Sequence, residues 1–390
     1  MSIKNKYYFD YAATTPVDPR VIKTMLPYFG QNYGNSMSLH WYGQNSATAL
    51  EKSREYFQKI INANTPQEII FTSSATESNN LVIKGVSLAN QKKGKHIIIS
   101  SIEHDCVLNS TNWLKTHGFE ITKLPVDKYG QINPNDLQKS IKKGTILVSI
   151  IHANNEIGTI QNIDEIGKIC KKNSVLFHTD ASQSFGKIKI DVQKSNINLL
   201  TASSHKIYGP KGIALLYIKK GIQILPILHG GGHERGLRSS TVNVPAIVGF
   251  AKASEIYEKI RDEENKKLTI LRDKIISNIL KNIPHTHLNG HPTNRLSNNI
   301  NISFDFIEGE SLLLELDSYG IACSTGSACS SQTLEASHIL LATGLSHAQS
   351  HGSLRFSLGR FTTDKEVNYL LKILPKVVAK FRKISPFKHE

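Results

Sequence analysis

The sequence predicts an α/β protein: a large domain with a mostly parallel, helix-covered sheet, followed by a smaller α+β region. Between residues 69 and 219 short apolar runs alternate with helical patterns, and these runs are apolar throughout rather than at every second position. Continuous apolar character is typical of strands buried on both faces, as in parallel sheets. From about residue 262 the pattern changes to hairpin-like strands mixed with helices. A chain of 390 residues is long enough for these two parts.

Six strands of the sheet are predicted from the apolar runs. They are EIIFT (68–72), HIIIS (96–100), TILVSIIH (145–152), SVLFHTD (174–180), INLLTAS (197–203) and GIALLYIK (212–219). The predicted helices include 77–90, 133–144, 162–173 and a long amphipathic helix over 246–280. In the helix at 162–173, acidic residues near the start and lysines at the end suit the helix dipole. Beyond the long helix, strands are predicted at 298–306 and 352–360.

The composition argues against nucleic-acid-binding and membrane classes. The formal net charge is +15, but the lysines are spread along the chain in runs such as QKKGK (91–95), which are typical of solvated helix ends. No nucleic-acid-binding motif occurs, so direct binding of nucleic acid is not expected. No stretch approaches the ~18 apolar residues that span a bilayer. The first residues, MSIKNKYYFDYAATTPVDP, lack the apolar core of a signal peptide, so we expect a cytoplasmic protein.

The four cysteines predict neither a disulfide framework nor a structural metal site. No C-x2-C spacing occurs, so a zinc site is not expected. Two of the cysteines, Cys323 and Cys329, lie in the stretch IACSTGSACSS (321–331), among small and polar residues. Such residues do not build a core, so a thiol in this stretch needs an explanation other than packing.

Polar residues follow five of the predicted strands. In open α/β sheets, ligands bind just beyond the carboxyl ends of the strands, so these positions predict a site. They contribute Thr76, His104, Asn155, Asp180, Gln183, Ser203, His205 and Lys206. Each residue alone has a structural alternative: His104 could be a hydrogen-bonded structural histidine, and Asp180 could cap a helix. Their occurrence on successive strand ends favours a functional site.

The residue types at these strand ends favour pyridoxal phosphate as the cofactor. There is no G-x-G-x-x-G after the first strand, no P-loop and no G-x-S-x-G elbow, so the dinucleotide, nucleotide and hydrolase interpretations lose their usual support. Lys206, wedged between His205 and a Tyr-Gly-Pro turn, is placed to form a Schiff base. Asp180 on a neighbouring strand could pair with the pyridinium nitrogen.

The remaining strand-end residues fit the other parts of the same cofactor. Ser203, His205 and the backbone at Ala75 and Thr76, where a helix begins, could hold the phosphate. His104 could stack on the ring. Asn155 and Gln183 could form hydrogen bonds with the phenolic oxygen.

The sequence resembles the cysteine desulfurases, which are pyridoxal-phosphate enzymes of the class-V branch of aminotransferase fold type I. The resemblance rests on long motifs spread over residues 7 to about 385. They are FDYAATTPVDPRV (9–21), FTSSATESNN (71–80), EHDCVL (103–108), HANNEIGTIQ (152–161), HTDASQSFGK (178–187), SSHKIYGPKG (203–212), HGGGHERGLRSST (229–241) and RFSLGRFT (355–362). The resemblance implies a large cofactor-binding domain over residues 15–261 with a seven-stranded sheet. Residues 1–14 and 262–390 would form the small domain.

The resemblance also implies roles for individual residues. Lys206 would carry the cofactor and move the α-proton of the substrate, Asp180 would pair with the pyridinium, and His104 would stack on the ring and assist proton transfer. Thr76, Ser203 and His205 would hold the phosphate, while Gln183 and Asn155 would contact the phenolic oxygen. Thr241 would reach the phosphate of the other subunit, which implies a homodimer. Arg355 and Asn35, with Asn155 close by, would bind the substrate carboxylate.

The same resemblance implies a catalytic role for Cys329. In this family a cysteine in an S/T-G-S-A-C-x-S loop attacks the sulfur of the substrate L-cysteine, and Cys329 in STGSACSS matches that motif whereas Cys323 does not. The product would be a persulfide on Cys329 and free L-alanine. The loop must then carry the sulfur to an acceptor, which a segment rich in Gly and Ser can do. Cys329 could also bind an iron–sulfur cluster transiently.

Two departures from the family pattern leave alternatives open. The usual G-N-P-x-S-x-H is GNSMSLH (34–40), with Ser36 in place of proline, which should loosen the loop that carries Asn35. The chain ends at KISPFKHE, so we expect a short docking tail. The acceptor could then be an iron–sulfur scaffold or a tRNA-thiolation protein. A selenocysteine lyase, or another enzyme of the class-V fold, is the alternative function.

Overall fold

A seven-stranded sheet forms the centre of the molecule. The computed structural model describes residues 6–325 and 336–386. The strands within this part are β1 (Tyr7–Tyr8), β2 (Ile69–Thr72), β3 (His96–Ser100), β4 (Glu120–Leu124), β5 (Thr145–Ser149), β6 (Leu176–Asp180), β7 (Leu199–Ser203), β8 (Ala214–Ile218), β9 (Thr286–Leu288), β10 (Asn299–Phe304), β11 (Ile321–Ala322) and β12 (Ser353–Ser357). The order in the large sheet is β2-β8-β7-β6-β5-β3-β4. All neighbouring pairs are parallel except the two that involve β8.

Helices cover this sheet and form most of the second region. They are α1 (Pro19–Met25), α2 (Pro27–Gly30), α3 (Trp41–Ile60), α4 (Ala75–Asn80), α5 (Ser87–Asn90), α6 (Asp105–Lys115), α7 (Pro134–Ser140), α8 (Ile163–Lys172), α9 (Val244–Asn282), α10 (Gly309–Ser318), α11 (His338–Ala342), α12 (His347–His351) and α13 (Asp364–Ile384). A π-helical segment, Leu81–Val86, joins α4 to α5, so the helix predicted at 77–90 is continuous.

The predicted fold class is confirmed, with one strand that the pattern did not reveal. The six predicted strands are all present, and they are buried because helices cover the faces of the sheet. The seventh strand, β4, lies at the sheet edge and pairs only with β3. Its sequence EITKL is mostly exposed or half-buried, so it lacks the continuous apolar run that marks the others.

The largest groups of buried side chains lie on the large sheet and in the second region, while the division near residue 262 stays a prediction. Apolar residues pack on both faces of the large sheet, and another cluster is built around the antiparallel sheet β12-β10-β9. Helix α9 runs through both: its buried residues up to Tyr257 pack in the first group, and those from Leu268 onward pack in the second. Strand β1 adds to the second region by pairing with β11.

Among the described residues, no helix combines the length and the apolar character that crossing a bilayer requires.

Candidate active site

A cavity of about 540 Å³ lies at the carboxyl ends of the parallel strands. Strands β2, β3, β5, β6 and β7 end at its wall, so the residues that follow them converge there. Ten of the residues predicted from the sequence line the cavity: Ala75, Thr76, His104, Asn155, Asp180, Gln183, Ser203, His205, Lys206 and Arg355. For all of them except Arg355 the convergence follows from the parallel arrangement, because parallel strands end on the same edge of a sheet.

Lys206 is held by the N-terminal segment of the chain. It ends a short 3-10 turn, Ser204–Lys206, directly after β7. Its Nζ donates hydrogen bonds to the carbonyl oxygens of Ala12 (2.6 Å) and Ala13 (2.7 Å). Gln183 Nε2 donates to the same Ala12 oxygen at 2.9 Å. The segment around Ala12 therefore fixes the amine that the sequence marks as the Schiff-base group.

Asp180 presents its carboxylate from the last position of β6, where it is buried. One oxygen, Oδ2, accepts a hydrogen bond from Asn79 Nδ2 at 2.7 Å. The other, Oδ1, accepts from the backbone N–H of Ser182 at 2.8 Å. Both oxygens accept hydrogen bonds, and this favours the ionised carboxylate. An ionised carboxylate is what pairing with a cationic ring nitrogen requires.

His104 caps helix α6 with its ring. Its Nδ1 accepts the backbone N–H of Cys106 at 3.1 Å. The sulfur of Cys106 lies 3.1 Å from the same ring nitrogen, and Cys106 also lines the cavity. The cap sets the orientation of the imidazole relative to the helix.

The predicted phosphate-binding residues come from two neighbouring elements. Ala75 and Thr76 stand where α4 begins, and Ser203 and His205 stand at the end of β7. All four line the cavity, together with Ser73 and Ser74, which were not predicted. Burial, together with the neighbouring charges of Lys206, Lys211 and Lys187, lowers the pKa of His205 to about 4. His205 is therefore neutral at pH 7, and its Nδ1 lies 3.1 Å from Thr14 Oγ1.

Arg355 enters the cavity from the second region of the fold. It lies on β12, and its guanidinium donates to Asp10 Oδ1 (2.9 Å) and to the carbonyl oxygen of Asn155 (3.1 Å). Its Nε, and the Oδ1 of Asn155, are buried without a hydrogen-bond partner among the described residues. Buried polar atoms are rarely left unsatisfied, so the pair fits a ligand that brings both an acceptor and a donor.

Two carboxyl groups are buried close to these residues. Burial raises the pKa of Glu103 to about 8, although Ser100 Oγ and the backbone N–H of Ile151 donate to it. Burial likewise raises the pKa of Glu156 to about 7. Ser337, the cap of α11, donates to Glu156 Oε2 at 2.6 Å. Both groups tie neighbouring loops together beneath the cavity.

Three predicted residues are not among those that line the cavity. Asn35 is exposed, and its Oδ1 accepts the backbone N–H of Met37 at 3.0 Å. Thr241 is also exposed. Cys329 lies outside the described residues. Cys323, the other cysteine of that stretch, packs against the core of the second region, and burial raises the pKa of its thiol well above the usual range.

Sequence reasoning missed Ala12, Ala13, Asn79 and Cys106. The two alanines act through backbone oxygens, which leave no trace in the residue type. Asn79 could have been found, because it lies three positions after Thr76 and so shares a helix face with it. Cys106 stands in the strand-end stretch SIEHDC, but nothing in its spacing connects it with His104. Among the described residues, no group of three or more His, Cys, Asp or Glu side chains could hold a metal ion.

Comparisons with known proteins identify the family of the chain. Residues 7–370 match the family model described as Aminotransferase class-V. A protein of Methanosarcina thermophila named cysteine desulfurase IscS is 52% identical over 387 residues, which are 99% of this chain and 95% of that protein. A mitochondrial cysteine desulfurase of Saccharomyces cerevisiae is 48% identical over 97% of this chain and 76% of its own length.

Solved structures are similar over nearly the whole chain. A NifS-like protein has a TM-score of 0.91 and 38% identity, covering 96% of this chain and 100% of its own. A structure described as SspA in complex with cysteine has a TM-score of 0.81 and 36% identity, covering 91% of this chain and 99% of its own.

Proposed function

The chain belongs to the cysteine desulfurases within the class-V aminotransferase family, and we propose that it converts L-cysteine to L-alanine with pyridoxal phosphate and passes the sulfur on as a persulfide. The observation that carries this proposal is the single cavity in which Lys206, Asp180, His104 and Arg355 meet. Between them they supply a Schiff-base amine, an anion for a pyridinium, an aromatic ring to stack and a guanidinium for a carboxylate.

The cavity fits pyridoxal phosphate in both its polar groups and its size. Asp180 would hold the ring nitrogen, His104 would cover the ring, and Gln183 with Asn155 would face the phenolic oxygen. Thr76, Ser203 and His205, with the backbone at Ala75, would hold the phosphate. When bound, the cofactor withdraws electron density from the α-carbon of the substrate. The volume of about 540 Å³ is in the range of small-molecule sites.

Arg355 and Asn155 would orient the substrate. The buried Arg355 Nε has no partner among the described residues, and a carboxylate would satisfy it through a charge-assisted hydrogen bond. Asn35 is proposed to help Arg355 bind the substrate carboxylate. Lys206 would take the α-proton of the substrate and return a proton to the carbon skeleton.

Cys329 is proposed as the nucleophile on the grounds of its motif. A bond forms between the Cys329 sulfur and the substrate Sγ, and the substrate Cβ–Sγ bond breaks with its electron pair remaining on carbon. Protonation of that carbon yields alanine, and Cys329 keeps the sulfur as a persulfide. The alternative thiol, Cys323, is a poor nucleophile, because burial raises its pKa and only the thiolate attacks.

We also propose that the protein is a homodimer. Residues 22–41 expose seven large hydrophobic side chains, namely Ile22, Leu26, Phe29, Tyr33, Met37, Leu39 and Trp41. A patch of this kind marks a surface that another protein covers. Thr241 is exposed, as expected if it contacts the phosphate in the partner's cavity. Asn35 is also exposed, as expected if a second copy of the chain covers the segment that carries it.

The sulfur acceptor is proposed to be another protein, either an iron–sulfur scaffold or a tRNA-thiolation protein. The relatives named IscS and the mitochondrial relative make the scaffold the first acceptor to test. A cytoplasmic location is proposed with it. Cys106, Cys170 and Cys323 are free thiols, as expected in a reducing compartment.

The function is tested by measuring alanine and sulfide from L-cysteine, beside selenide from L-selenocysteine, with a reductant present. Equal amounts of alanine and sulfide are expected. Production of selenide without sulfide would favour a selenocysteine lyase instead. Lys206→Ala should abolish both the products and the visible absorbance of the bound cofactor. If Lys206→Ala keeps that absorbance and turns over L-cysteine, the assignment of the Schiff-base lysine is wrong.

A further inference from the structure

A chain of hydrogen bonds joins Asp180 to His104 through two residues that the proposed function does not use. Asn79 Nδ2 lies 2.7 Å from Asp180 Oδ2 and 3.1 Å from Cys106 Sγ. Cys106 Sγ in turn lies 3.1 Å from His104 Nδ1. Asn79 is fully buried, so it has no water to replace these partners. The chain therefore links the two side chains that would contact the cofactor ring.

The direction of each hydrogen bond follows from the chemistry of the groups. A carboxamide nitrogen carries two hydrogens and can only donate. Asn79 therefore gives one hydrogen to Asp180 and the other to the Cys106 sulfur. That sulfur, already an acceptor, has one hydrogen of its own. Within this chain of hydrogen bonds, the thiol hydrogen of Cys106 is donated to Nδ1 of His104.

His104 Nδ1 has a single lone pair, and the thiol shares it with a second donor. The backbone N–H of Cys106 also points at it, from 3.1 Å, as part of the cap of α6. A ring nitrogen that accepts from a backbone N–H must present its lone pair and cannot carry a proton. The neutral imidazole then has its proton on Nε2, since the hydrogen bond at one ring nitrogen sets which tautomer is present.

We propose that Asn79 and the Cys106 thiol are positioning residues that, together with the backbone N–H of Cys106, hold His104 in the tautomer protonated at Nε2, so that His104 acts at the cavity as a hydrogen-bond donor. The tautomer is inferred from the contacts at Nδ1, whereas its use in the reaction rests on the proposed function. A donor at Nε2 stabilises negative charge on sulfur and cannot remove a proton from a thiol. A neutral imidazole at a helix N-terminus is an established way to supply such a donor.

The tautomer can be read by 15N NMR of the cofactor-loaded protein labelled at histidine, with His104→Gln to assign the signals. The two ring nitrogens give well-separated signals when one is protonated and the other is not. We expect a protonated Nε2 and an unprotonated Nδ1 at neutral pH. A protonated Nδ1 would overturn the proposal. This readout does not depend on desulfurase activity, so an inactive protein that shows the expected tautomer would contradict the proposed function and leave the tautomer standing.

The part played by Cys106 is tested with two substitutions and a control. Cys106→Ala removes the thiol donor, and we expect kcat to fall about three- to ten-fold, the worth of one hydrogen bond, with KM for L-cysteine unchanged. Cys106→Ser keeps a donor at this position and should recover most of kcat. Ser110→Ala removes a hydrogen bond to the carbonyl oxygen of Cys106 on the same helix and should leave kcat unchanged. If Cys106→Ala matches the wild-type protein in kcat and in the NMR signals, Cys106 has no positioning role.

Discussion

At the scale of single residues, burial decides the charge of groups beneath the cavity. Glu103 is buried between the ends of β3 and β5, where the backbone N–H of Ile151 and the hydroxyl of Ser100 donate to its Oε1. These hydrogen bonds do not offset the removal of the carboxyl group from water. Burial therefore raises the pKa of Glu103 to about 8. The carboxyl group is therefore largely protonated at neutral pH. It joins two strand ends without placing a full negative charge beside Asp180.

Glu103 makes the free energy of unfolding depend on pH. The unfolded carboxyl ionises near pH 4.5, whereas the folded one stays protonated up to about pH 8. Between these values the folded state binds more protons, so this contribution falls as pH rises. Glu103→Gln lacks the titration, and its free energy of unfolding relative to wild type should rise between pH 5 and 8 by a few kcal/mol, on the order set by the shift in pKa.

The measurement is denaturant unfolding at both pH values, with protein and cofactor concentrations held constant. A constant offset between Glu103→Gln and wild type is expected at any pH from the changed hydrogen bonding, so the change with pH is the informative quantity. Glu263→Gln, at an exposed position of α9, is the control and should show little change. A difference for Glu103→Gln that is the same at pH 5 and pH 8 would contradict the assignment.

Contacts of individual residues were the part of the structure that the sequence predicted least completely. The eight strand-end side chains were predicted because parallel strands bring them to one edge, and all eight line the cavity. Arg355 also lines the cavity, but it was named through the family resemblance. The backbone oxygens of Ala12 and Ala13, which hold Lys206, come from a segment nearly two hundred positions away in the chain. Contacts made by backbone atoms depend on the tertiary fold and not on residue type.

At the scale of elements, burial explains which predictions succeeded. The six predicted strands are buried, and their apolar runs are continuous. Edge strand β4 (Glu120–Leu124) pairs with one neighbour, and its exposed Glu120 and Lys123 interrupt the apolar run that marks the buried strands. Helix α9, predicted over 246–280, spans Val244–Asn282, because Asn243 caps it and Pro245 suits its first turn. The ends of elements depend on capping contacts that periodicity does not report.

Helices α1 and α2 and the segment up to Trp41 carry the exposed apolar patch, and this patch gives the test of the dimer. Phe29 is 65% exposed. Phe29→Asp should place a charge in the interface and shift the protein toward monomer at micromolar concentration. Light scattering after size exclusion measures the mass. Leu314→Asp, at a similarly exposed residue (68%) of α10, is the matched control and should stay dimeric. Equal masses for the two variants would contradict an interface at this patch.

At the scale of the whole molecule, the cavity depends on both regions of the fold. The sheet supplies Lys206, Asp180 and His104, whereas β12 of the second region supplies Arg355. The isolated bridge between Ser324 and Arg355 also ties the described chain just before the Cys329 segment to the residue that would bind substrate. Thr241 is exposed in the single chain, and its proposed role at the partner's cofactor comes from the family resemblance.

That role can be tested by making mixed dimers. One subunit carries Lys206→Ala and the other carries Thr241→Ala, with two affinity tags to isolate the hybrid. If Thr241 serves the partner's cavity, the hybrid has one cavity with both Lys206 and Thr241, and about half of the wild-type activity and cofactor content is expected. If Thr241 serves its own cavity, the hybrid has no complete cavity, and its activity should not exceed that of the Thr241→Ala homodimer.

The most direct test of the account is to locate the sulfur after reaction with L-cysteine in the absence of a reductant. Mass spectrometry of the digested protein should find the added mass of one sulfur atom on the peptide that contains Cys329, together with one alanine released for each persulfide formed. Cys329→Ser should keep the visible absorbance of the cofactor and carry no persulfide, whereas Cys323→Ser should behave as wild type. A persulfide on Cys106 or Cys323, or alanine formed at the wild-type rate by Cys329→Ser, would contradict it.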